Sequence, residues 1–388
     1  MKKLAIISTH PIQYNAPLFR RLTERGAVAV KVFYTWGAAV LENKYDPGFG
    51  KTIEWDIPLT EGYEYDFVEN ISDDPGSHHF KGIDNPGLIA AITEWQAEAV
   101  LVFGWSFKSH LKVLRYFKGK IQVLFRGDST LLDETAGIKT LLRRIFLRWV
   151  YSHIDIALYV GYNNKAYYLK HGLSEKQLIR APHAIDNDRF ATAIKNNPNG
   201  WQEWRSKEGI QPEEFVVLFS GKLEEKKNPQ YIIALSELLA ENKNIRFLLV
   251  GNGVLEDSLK TAAAGDPRIL FAGFRNQSEM PMVYRSADVY ILPSRGPGET
   301  WGLAINEAMA VGLPVMASTK CGGAIDLIDD NENGLTFAPD EVEKAATFIR
   351  KLISDRDYCK KAGALSQEKI RSFSFDNICE AIEKSLLH

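Results

Sequence analysis

Two glutamates, Glu299 and Glu307, lie on either side of the point where a loop rich in glycine and proline runs into a helix. The loop follows an apolar run at residues 288–292, and the helix is predicted to begin near Gly302. A carboxylate accepts hydrogen bonds, so each glutamate suits the hydroxyl pair of a sugar or a ribose. The helix start offers backbone N–H groups and the positive end of the helix dipole, which favour a phosphate. Taken alone, Glu307 is read equally well as a solvated helix glutamate.

The elements that must position these residues are short apolar runs that alternate with longer amphipathic segments. Strands are predicted at residues 4–8, 28–34, 99–103, 121–125 and 154–160, and again at 215–220, 245–250, 268–271, 288–292, 313–317 and 334–337. Helical segments separate several of these runs, which is typical of parallel sheets with crossover helices. Because the series occurs twice, the sequence predicts two doubly wound α/β domains.

Composition and charge narrow the class of protein. A chain of 388 residues can bury two cores, and its formal net charge of -2 gives no basic field for nucleic acid. No apolar run approaches the ~18 residues that would span a bilayer. The three cysteines, Cys321, Cys359 and Cys379, show neither metal-binding spacing nor a disulfide framework. We therefore expect a cytoplasmic protein with reduced thiols.

The run from Pro293 to Val315 resembles the E-x7-E motif, with the following "EAMA-x-G-x-P-V", of retaining family-4 glycosyltransferases, also called glycosyl transferases group 1. The resemblance covers nearly all of residues 180–385. Its other pieces are Ser220–Lys222 with Lys227–Pro229, Gly251–Gly253, Gly273–Phe274, Met280–Tyr284 with Ala287–Val289, and Cys321–Asp326. Two departures are Lys222, where the family usually has arginine, and Asp326, where it usually has glutamate.

The resemblance implies a GT-B fold, in which two Rossmann-like doubly wound domains face each other across a cleft. Residues 1–185 would bind the acceptor and residues 186–370 the nucleotide-sugar donor, while a C-terminal helix at 371–388 could cross back. It also implies transfer of a hexose from a UDP- or GDP-sugar to a hydroxyl group with retention of configuration. The expected pathway is bacterial-type surface glycan or glycoconjugate synthesis, with no cofactor and no metal.

In this family a basic pair binds the donor diphosphate, and here that pair is Lys222 and Lys227. Two cations and a helix N-terminus can stabilise the charge that develops on the leaving diphosphate. The resemblance places Glu299 on the donor sugar, as a catalytic residue with the two lysines, and Glu307 on the ribose. The remaining donor-binding candidates are Gly251, Phe274, Arg275, Ser294, Thr300, Gly302 and Leu303. For Lys227, a solvated charge run at residues 224–227 is the alternative.

The N-terminal half resembles the family more weakly. His10 and Gln13 lie in a loop after the first predicted strand, where they could reach the reacting sugar or form a simple turn before a helix. Arg126 and Asp128 end another strand at the same predicted edge, although Asp128 could instead be a helix N-cap. A functional histidine common in the family is missing near Gly104, and its role is not transferred to His110.

Several motifs point to other chemistry and are set aside. Gly48–Thr52 lacks the first glycine of a P-loop, and Gly251–Gly253 lacks the third glycine of a dinucleotide fingerprint, so NAD is not expected. Asp186–Asp188 and Asp355–Asp357 match D-x-D, but two carboxylates on a turn are too few for a hard cation. The basic helix at 139–150 suits either an anionic membrane surface or a core position with a solvated cationic side.

Two rival functions fit the same fold. A nucleotide-sugar 2-epimerase would need acid and base residues over the sugar, and Glu299 in its E-x7-E setting argues against that. A catalytically inactive sugar-nucleotide-binding scaffold is opposed by the intact Glu299, Glu307, Lys222 and Lys227, but it is kept open by the histidine missing near Gly104.

Overall fold

The computed structural model describes residues 1–37, 45–46, 51–52 and 54–387. The glycine-rich stretch at 48–50 and the last residue of the predicted C-terminal segment lie outside these ranges. The chain divides into two compact units. One contains residues 1–37, Ile57–His183 and the segment from Phe375, and the other contains Ala184–Ser374 and a short piece that ends at Asp56. The acceptor and donor roles expected for residues 1–185 and 186–370 stay predictions.

The N-terminal unit is built on a seven-stranded sheet with the order β5-β2-β1-β6-β7-β8-β9, in which every pairing is parallel. Its strands are β1 (Lys2–Ser8), β2 (Val28–Tyr34), β5 (Glu64–Phe67), β6 (Ala99–Phe103), β7 (Gln122–Arg126), β8 (Ile156–Tyr159) and β9 (Leu178–Arg180). Its helices are α1 (Ala16–Arg25), α2 (Leu88–Glu94), α3 (Lys108–Phe117), α4 (Ile138–Tyr151), α5 (Tyr162–Lys170) and α15 (Phe375–Leu387). The residues Leu4–Ile7 of β1 are wholly buried, as expected for a sheet covered by helices on both faces.

The C-terminal unit has a six-stranded sheet with the order β12-β11-β10-β13-β14-β15, again entirely parallel. Its strands are β10 (Phe215–Ser220), β11 (Ile245–Val250), β12 (Ile269–Gly273), β13 (Val289–Leu292), β14 (Val315–Ser318) and β15 (Gly334–Phe337). Its helices are α6 (Asn187–Asn196), α7 (Gly200–Lys207), α8 (Gln230–Leu238), α9 (Glu256–Ala263), α10 (Met280–Arg285), α11 (Leu303–Ala310), α12 (Ala324–Leu327), α13 (Val342–Ser354) and α14 (Arg356–Ile370). A separate two-stranded antiparallel pair joins β3 (Tyr45–Asp46) and β4 (Lys51–Thr52).

The order of the second sheet reverses between β10 and β13. Strands β10, β11 and β12 run outward on one side, while β13, β14 and β15 run outward on the other. In open α/β sheets the crevice at such a reversal, beyond the carboxyl ends of the strands, is where ligands bind. The loops after β10 and β13 therefore hold the first candidate site, and the prediction of two parallel α/β sheets is confirmed.

The last helix of the chain, α15, belongs to the N-terminal unit. The Arg21 guanidinium lies 2.8 Å from the Asp376 carboxylate, and that of Arg25 lies 2.7 Å from Glu383. The Gln122 side-chain amide donates to the carbonyl of Ser385 at 2.7 Å. These bonds fix α15 against α1 and the end of the first sheet.

Candidate functional site

Glycines let three loops meet at the carboxyl end of the second sheet. The Gly221 N–H donates to Val250 O at 2.9 Å, and the Gly251 N–H donates to Gly273 O at 2.8 Å. A Cβ on Gly251 would lie 2.0 Å from the Gly221 carbonyl oxygen, and its φ of +133° is one that residues with side chains rarely adopt. The loops after β10, β11 and β12 are thus packed backbone against backbone.

The loops after β10 and β13 are joined by an ion pair. Lys227 Nζ lies 2.6 Å from Glu299 Oε2, and the Ser294 hydroxyl donates to the same oxygen at 3.0 Å. The Glu299 side chain is only 7% exposed and that of Lys227 18%. Lys227 is therefore not part of a solvated charge run, because it is committed to a buried carboxylate.

The turn that carries Lys227 is clamped to the loop that carries Glu299. Asn228 has a left-handed φ of 56°, and its side-chain N–H donates to Pro293 O at 3.0 Å. The Arg295 N–H donates to Lys226 O at 3.0 Å, and the Arg295 guanidinium donates to the Asn228 side-chain oxygen. These bonds hold the segment that carries Lys227 against the segment that carries Glu299. Lys222 is half-buried in the same loop after β10.

Glu307 lies inside α11 and is buried, which excludes the solvated glutamate. The Tyr284 hydroxyl donates to Glu307 Oε2 at 2.7 Å and also lies 2.7 Å from Ser220 Oγ. Burial, followed by the nearby Glu307 charge, holds the pKa of Tyr284 well above its usual range, so the phenol stays protonated and can donate. Ser220 ends β10 and Tyr284 lies in α10, so these hydrogen bonds link the Glu307 carboxylate to the carboxyl end of β10.

Neighbouring backbone holds the segment that leads into α11. Gly302 is the N-cap with a φ of 95°, and a Cβ there would lie 2.9 Å from a Leu292 methyl group. The Gly322 N–H donates to Glu299 O and the Gly323 N–H to Trp301 O, both at 2.9 Å. The first turn of α11 itself contains no acidic residue.

The remaining donor-binding candidates lie at the same carboxyl end of the second sheet. Thr300 and Leu303 are half-buried on either side of the Gly302 N-cap. The Phe274 N–H donates to the Asn252 side-chain oxygen at 2.9 Å, and the Arg275 guanidinium donates to Glu208 at 2.7 Å. Arg275 is thus held toward α7.

The N-terminal candidates are placed on loops at the carboxyl end of the first sheet. His10 Nδ1 lies 2.9 Å from Thr9 Oγ1, and its ring packs edge-on against Trp36 at 5.0 Å. Gln13 is half-buried in the same loop. Arg126, at the end of β7, is buried and donates to Ala181 O at 2.7 Å and to Pro182 O at 3.1 Å. Its guanidinium supports the segment that leaves the first sheet.

Asp128 and His183 face each other in this unit at 3.8 Å. Burial lowers the pKa of His183, with the Asp128 carboxylate opposing that effect. Asp128 is not a helix N-cap, because α4 begins only at Ile138 with Gly137 as its N-cap.

Three sequence features have structural explanations. His110 is wholly buried, its Nδ1 lies 3.0 Å from both the Phe103 and Gly104 carbonyls, and burial lowers its pKa to about 4. Of the two D-x-D matches, Asp186 caps α6 and Asp355 caps α14, each through a side-chain oxygen.

Among the described residues, one cluster of metal-ligand side chains stands out, with Asp74, His78 and His79 offering ligand atoms within 4.8 Å of one another. No helix in the described part of the chain is long and apolar enough to cross a bilayer.

The sequence did not single out Ser220 and Tyr284 as site residues. Both lie inside the motif pieces quoted above, so their positions were available, but the contact of Tyr284 with Glu307 joins residues 23 apart through tertiary packing. Ser318, whose hydroxyl donates to Ser294 O, was likewise not expected.

Comparison with known proteins adds family and fold. The family Glycosyl transferases group 1 matches residues 201–369. An uncharacterized glycosyltransferase of Methanocaldococcus jannaschii is 29% identical over 189 residues, 46% of this chain and 47% of that protein. A GDP-mannose-dependent alpha-(1-6)-phosphatidylinositol monomannoside mannosyltransferase of Mycobacterium tuberculosis is 26% identical over 233 residues, 58% of this chain and 59% of that protein. The chain thus spans about half the length of the curated relatives it matches.

Among solved structures, Anabaena HepE in complex with UDP superimposes with a TM-score of 0.73 at 18% identity, covering 100% of this chain and 99% of HepE. At 18% sequence identity, this structural similarity establishes the fold alone, and that fold is GT-B.

Proposed function

Because residues 201–369 match the family Glycosyl transferases group 1, we propose that the chain is a retaining glycosyltransferase acting on a nucleoside-diphosphate sugar. The observation that carries the proposal is the buried pair of Lys227 and Glu299 beside the start of α11. A cation, a carboxylate and a helix N-terminus at a sheet reversal are the groups needed to hold a diphosphate and a sugar side by side.

The proposed roles follow from charge. When the bond between sugar and diphosphate breaks, negative charge builds on the departing nucleotide, and Lys222, Lys227 and the α11 N–H groups can stabilise it. Glu299 would face the donor sugar with its carboxylate as positive charge develops there. Glu307, held by Tyr284, would accept hydrogen bonds from the ribose. No step in this scheme needs a metal ion or a cofactor.

The donor is proposed to be a UDP- or GDP-sugar. The GDP-mannose-dependent relative supports one base and the UDP complex of HepE supports the other. We assign donor binding to residues 186–370, with Ser294, Thr300, Gly302, Leu303, Gly251, Phe274 and Arg275 lining the nucleotide. Base contacts would be made largely by backbone near Phe274, since Arg275 is turned toward Glu208.

The acceptor is proposed to be a hydroxyl group on a glycan, a lipid-linked sugar or a small molecule, bound by residues 1–185. His10, Gln13 and Asp128 would line it, and Arg126 would act through the backbone that it holds. We place the reaction in the cytoplasm, in the synthesis of a surface glycan or glycoconjugate.

Thermal unfolding in the presence of UDP, GDP, ADP and their sugars tests the donor assignment. A ligand at 100 times its Kd stabilises by about 2.7 kcal/mol, which is easily detected. The preferred donor is then incubated alone and followed by NMR. Slow release of free sugar with the original anomeric configuration supports a retaining transferase, while conversion to the C2 epimer would establish the epimerase. Binding with neither reaction, and no transfer to any offered acceptor, would leave the scaffold as the function.

A further inference from the structure

Helix α4 has two apolar faces on opposite sides. Successive residues of an α-helix are about 100° apart, so Leu147, Val150 and Tyr151 point to one side. All three are buried in the core of the N-terminal unit. They are enough to anchor the helix to the sheet, and the remaining large apolar residues are not needed for that packing.

The other face is an exposed stripe, here called the outer stripe. It consists of Ile138, Leu141, Leu142, Ile145, Phe146 and Trp149, whose side chains are 41% to 77% exposed. At about 100° per residue these six span an arc of about 140° centred opposite the buried face. Within the described part of the chain, Phe146 and Trp149 have ring contacts, with Trp105 at 5.5 Å and His153 at 5.1 Å, yet both keep substantial exposure. A continuous patch of this kind marks a surface that binds something apolar.

The flanks of the outer stripe are cationic. Lys139, Arg143 and Arg148 are exposed, and the helix contains no acidic residue over its 14 positions. Arg144 pairs with Glu134, and the Arg115 guanidinium from α3 lies 5.3 Å from the Trp149 ring. An apolar centre with cations on both sides and aromatic residues at one end is the pattern of helices that lie in a membrane interface.

We propose that the outer stripe of α4 binds the surface of an anionic phospholipid bilayer. The apolar side chains would enter the boundary between headgroups and acyl chains, and Lys139, Arg143 and Arg148 would contact lipid phosphates. A helix of 14 residues is about 21 Å long, shorter than the ~30 Å hydrocarbon layer, so it would lie in the interface without spanning it. Pairing with a second copy is disfavoured, since it would bring two cationic rims together with no carboxylate on the helix to offset them.

Flotation of the full chain with vesicles, in the absence of any donor, tests this. Vesicles of phosphatidylcholine alone are compared with vesicles containing phosphatidylglycerol. Wild type should bind the anionic vesicles and lose binding as salt is raised, because the cationic contribution is screened. Leu142→Ser/Ile145→Ser should weaken vesicle binding at least tenfold. Arg143→Gln/Arg148→Gln should remove most of the preference for anionic lipid, about 30-fold at ~1 kcal/mol for each cation.

A matched control is available in the C-terminal unit. Val254→Ser/Ile325→Ser changes two apolar residues that are also exposed, at 77% and 55%, and should leave vesicle binding unchanged. Nucleotide-induced thermal stabilisation, measured on all variants, shows that they are folded and tests the donor site separately. Failure of wild type to bind anionic vesicles, or equal binding by Leu142→Ser/Ile145→Ser, would overturn the proposal. So would a change from dimer to monomer in that variant without a change in vesicle binding.

Discussion

Lys227 and Glu299 form an ion pair at 2.6 Å in which the anion is more deeply buried than the cation. Because of this difference in burial, we expect replacement of Lys227 to destabilise the protein more than replacement of Glu299. Lys227→Met leaves a buried carboxylate that keeps only part of its polar surroundings, and should destabilise the protein by about 1–3 kcal/mol. Glu299→Gln leaves a lysine that can turn toward solvent, and should cost less than about 1 kcal/mol. Thermal unfolding of the two variants without ligand measures the difference, and equal losses would contradict it.

The same Glu299→Gln variant should be a poor catalyst that still binds nucleotide. It keeps size and shape but removes the charge beside the proposed donor sugar. We expect kcat to fall at least about tenfold, while the Kd for UDP or GDP changes by less than about threefold. Donor kinetics and calorimetry with the bare nucleotide separate the two quantities. Full kcat in this variant would remove Glu299 from the proposed mechanism.

Glu307 should act on ground-state binding. Glu307→Ala removes the acceptor proposed for the ribose and should raise the nucleotide Kd by about 10- to 150-fold, equivalent to roughly 1.5–3 kcal/mol. Tyr284→Phe is the matched control, because it removes the hydroxyl that holds Glu307 and keeps the carboxylate. Its effect should stay below about tenfold. Calorimetry that finds wild-type affinity in Glu307→Ala would show that the carboxylate does not contact the nucleotide.

Activity should not depend on a divalent cation. The positive charge at the proposed diphosphate site comes from Lys222, Lys227 and the start of α11, so excess EDTA should leave the rate near its untreated level. Loss of activity that Mg²⁺ or Mn²⁺ restores would contradict this. Repeating the assay with His78→Asn/His79→Asn asks whether any such loss arises at the cluster with Asp74.

His110 should make the folded state sensitive to acid. Its folded pKa is about 4, against an ordinary value of 6.5, because burial disfavours the charged ring. The unfolded chain therefore binds more protons between these values, so stability is full above about pH 6.5 and falls as pH drops toward 4. One such group contributes at most about 3 kcal/mol. His110→Asn should flatten the stability profile between pH 4 and 6.5, whereas His78→Asn, at an exposed position, should not. Parallel profiles for His110→Asn and wild type would refute the assignment.

Two glycines on neighbouring loops should respond differently to alanine. Gly251→Ala places a Cβ against the Gly221 carbonyl and should cost more than about 3 kcal/mol. Gly273→Ala also has a positive φ, +66°, but meets nothing within 4 Å, and should cost about 1–2 kcal/mol. Similar drops in Tm for both would show that the loops do not pack backbone against backbone.

The sequence predicted most of the parallel strands, because buried strands read as short apolar runs. It missed the two edge strands of the first sheet, β5 (Glu64–Phe67) and β9 (Leu178–Arg180), neither of which is buried enough to give such a run. Glu299 and Lys227 could be singled out because each lies in a motif that is local in sequence. The partners of Arg126 could not, because its bonds reach carbonyls 55 and 56 residues away. In α4, apolar residues nearly encircle the helix, so periodicity alone could not tell the buried face from the outer stripe.

The return of α15 to the first unit has a consequence for biosynthesis. Strand β9 completes the first sheet at Arg180, but the helix that covers one of its sides begins only at Phe375. At ~5–20 residues per second, a ribosome needs roughly 10–40 s for the ~200 residues in between. Throughout that interval the surface that Ile378, Ile382 and Leu386 will bury is unprotected on the nascent chain. The second unit can therefore fold before the first is finished, and the unprotected surface is a place for a chaperone to bind.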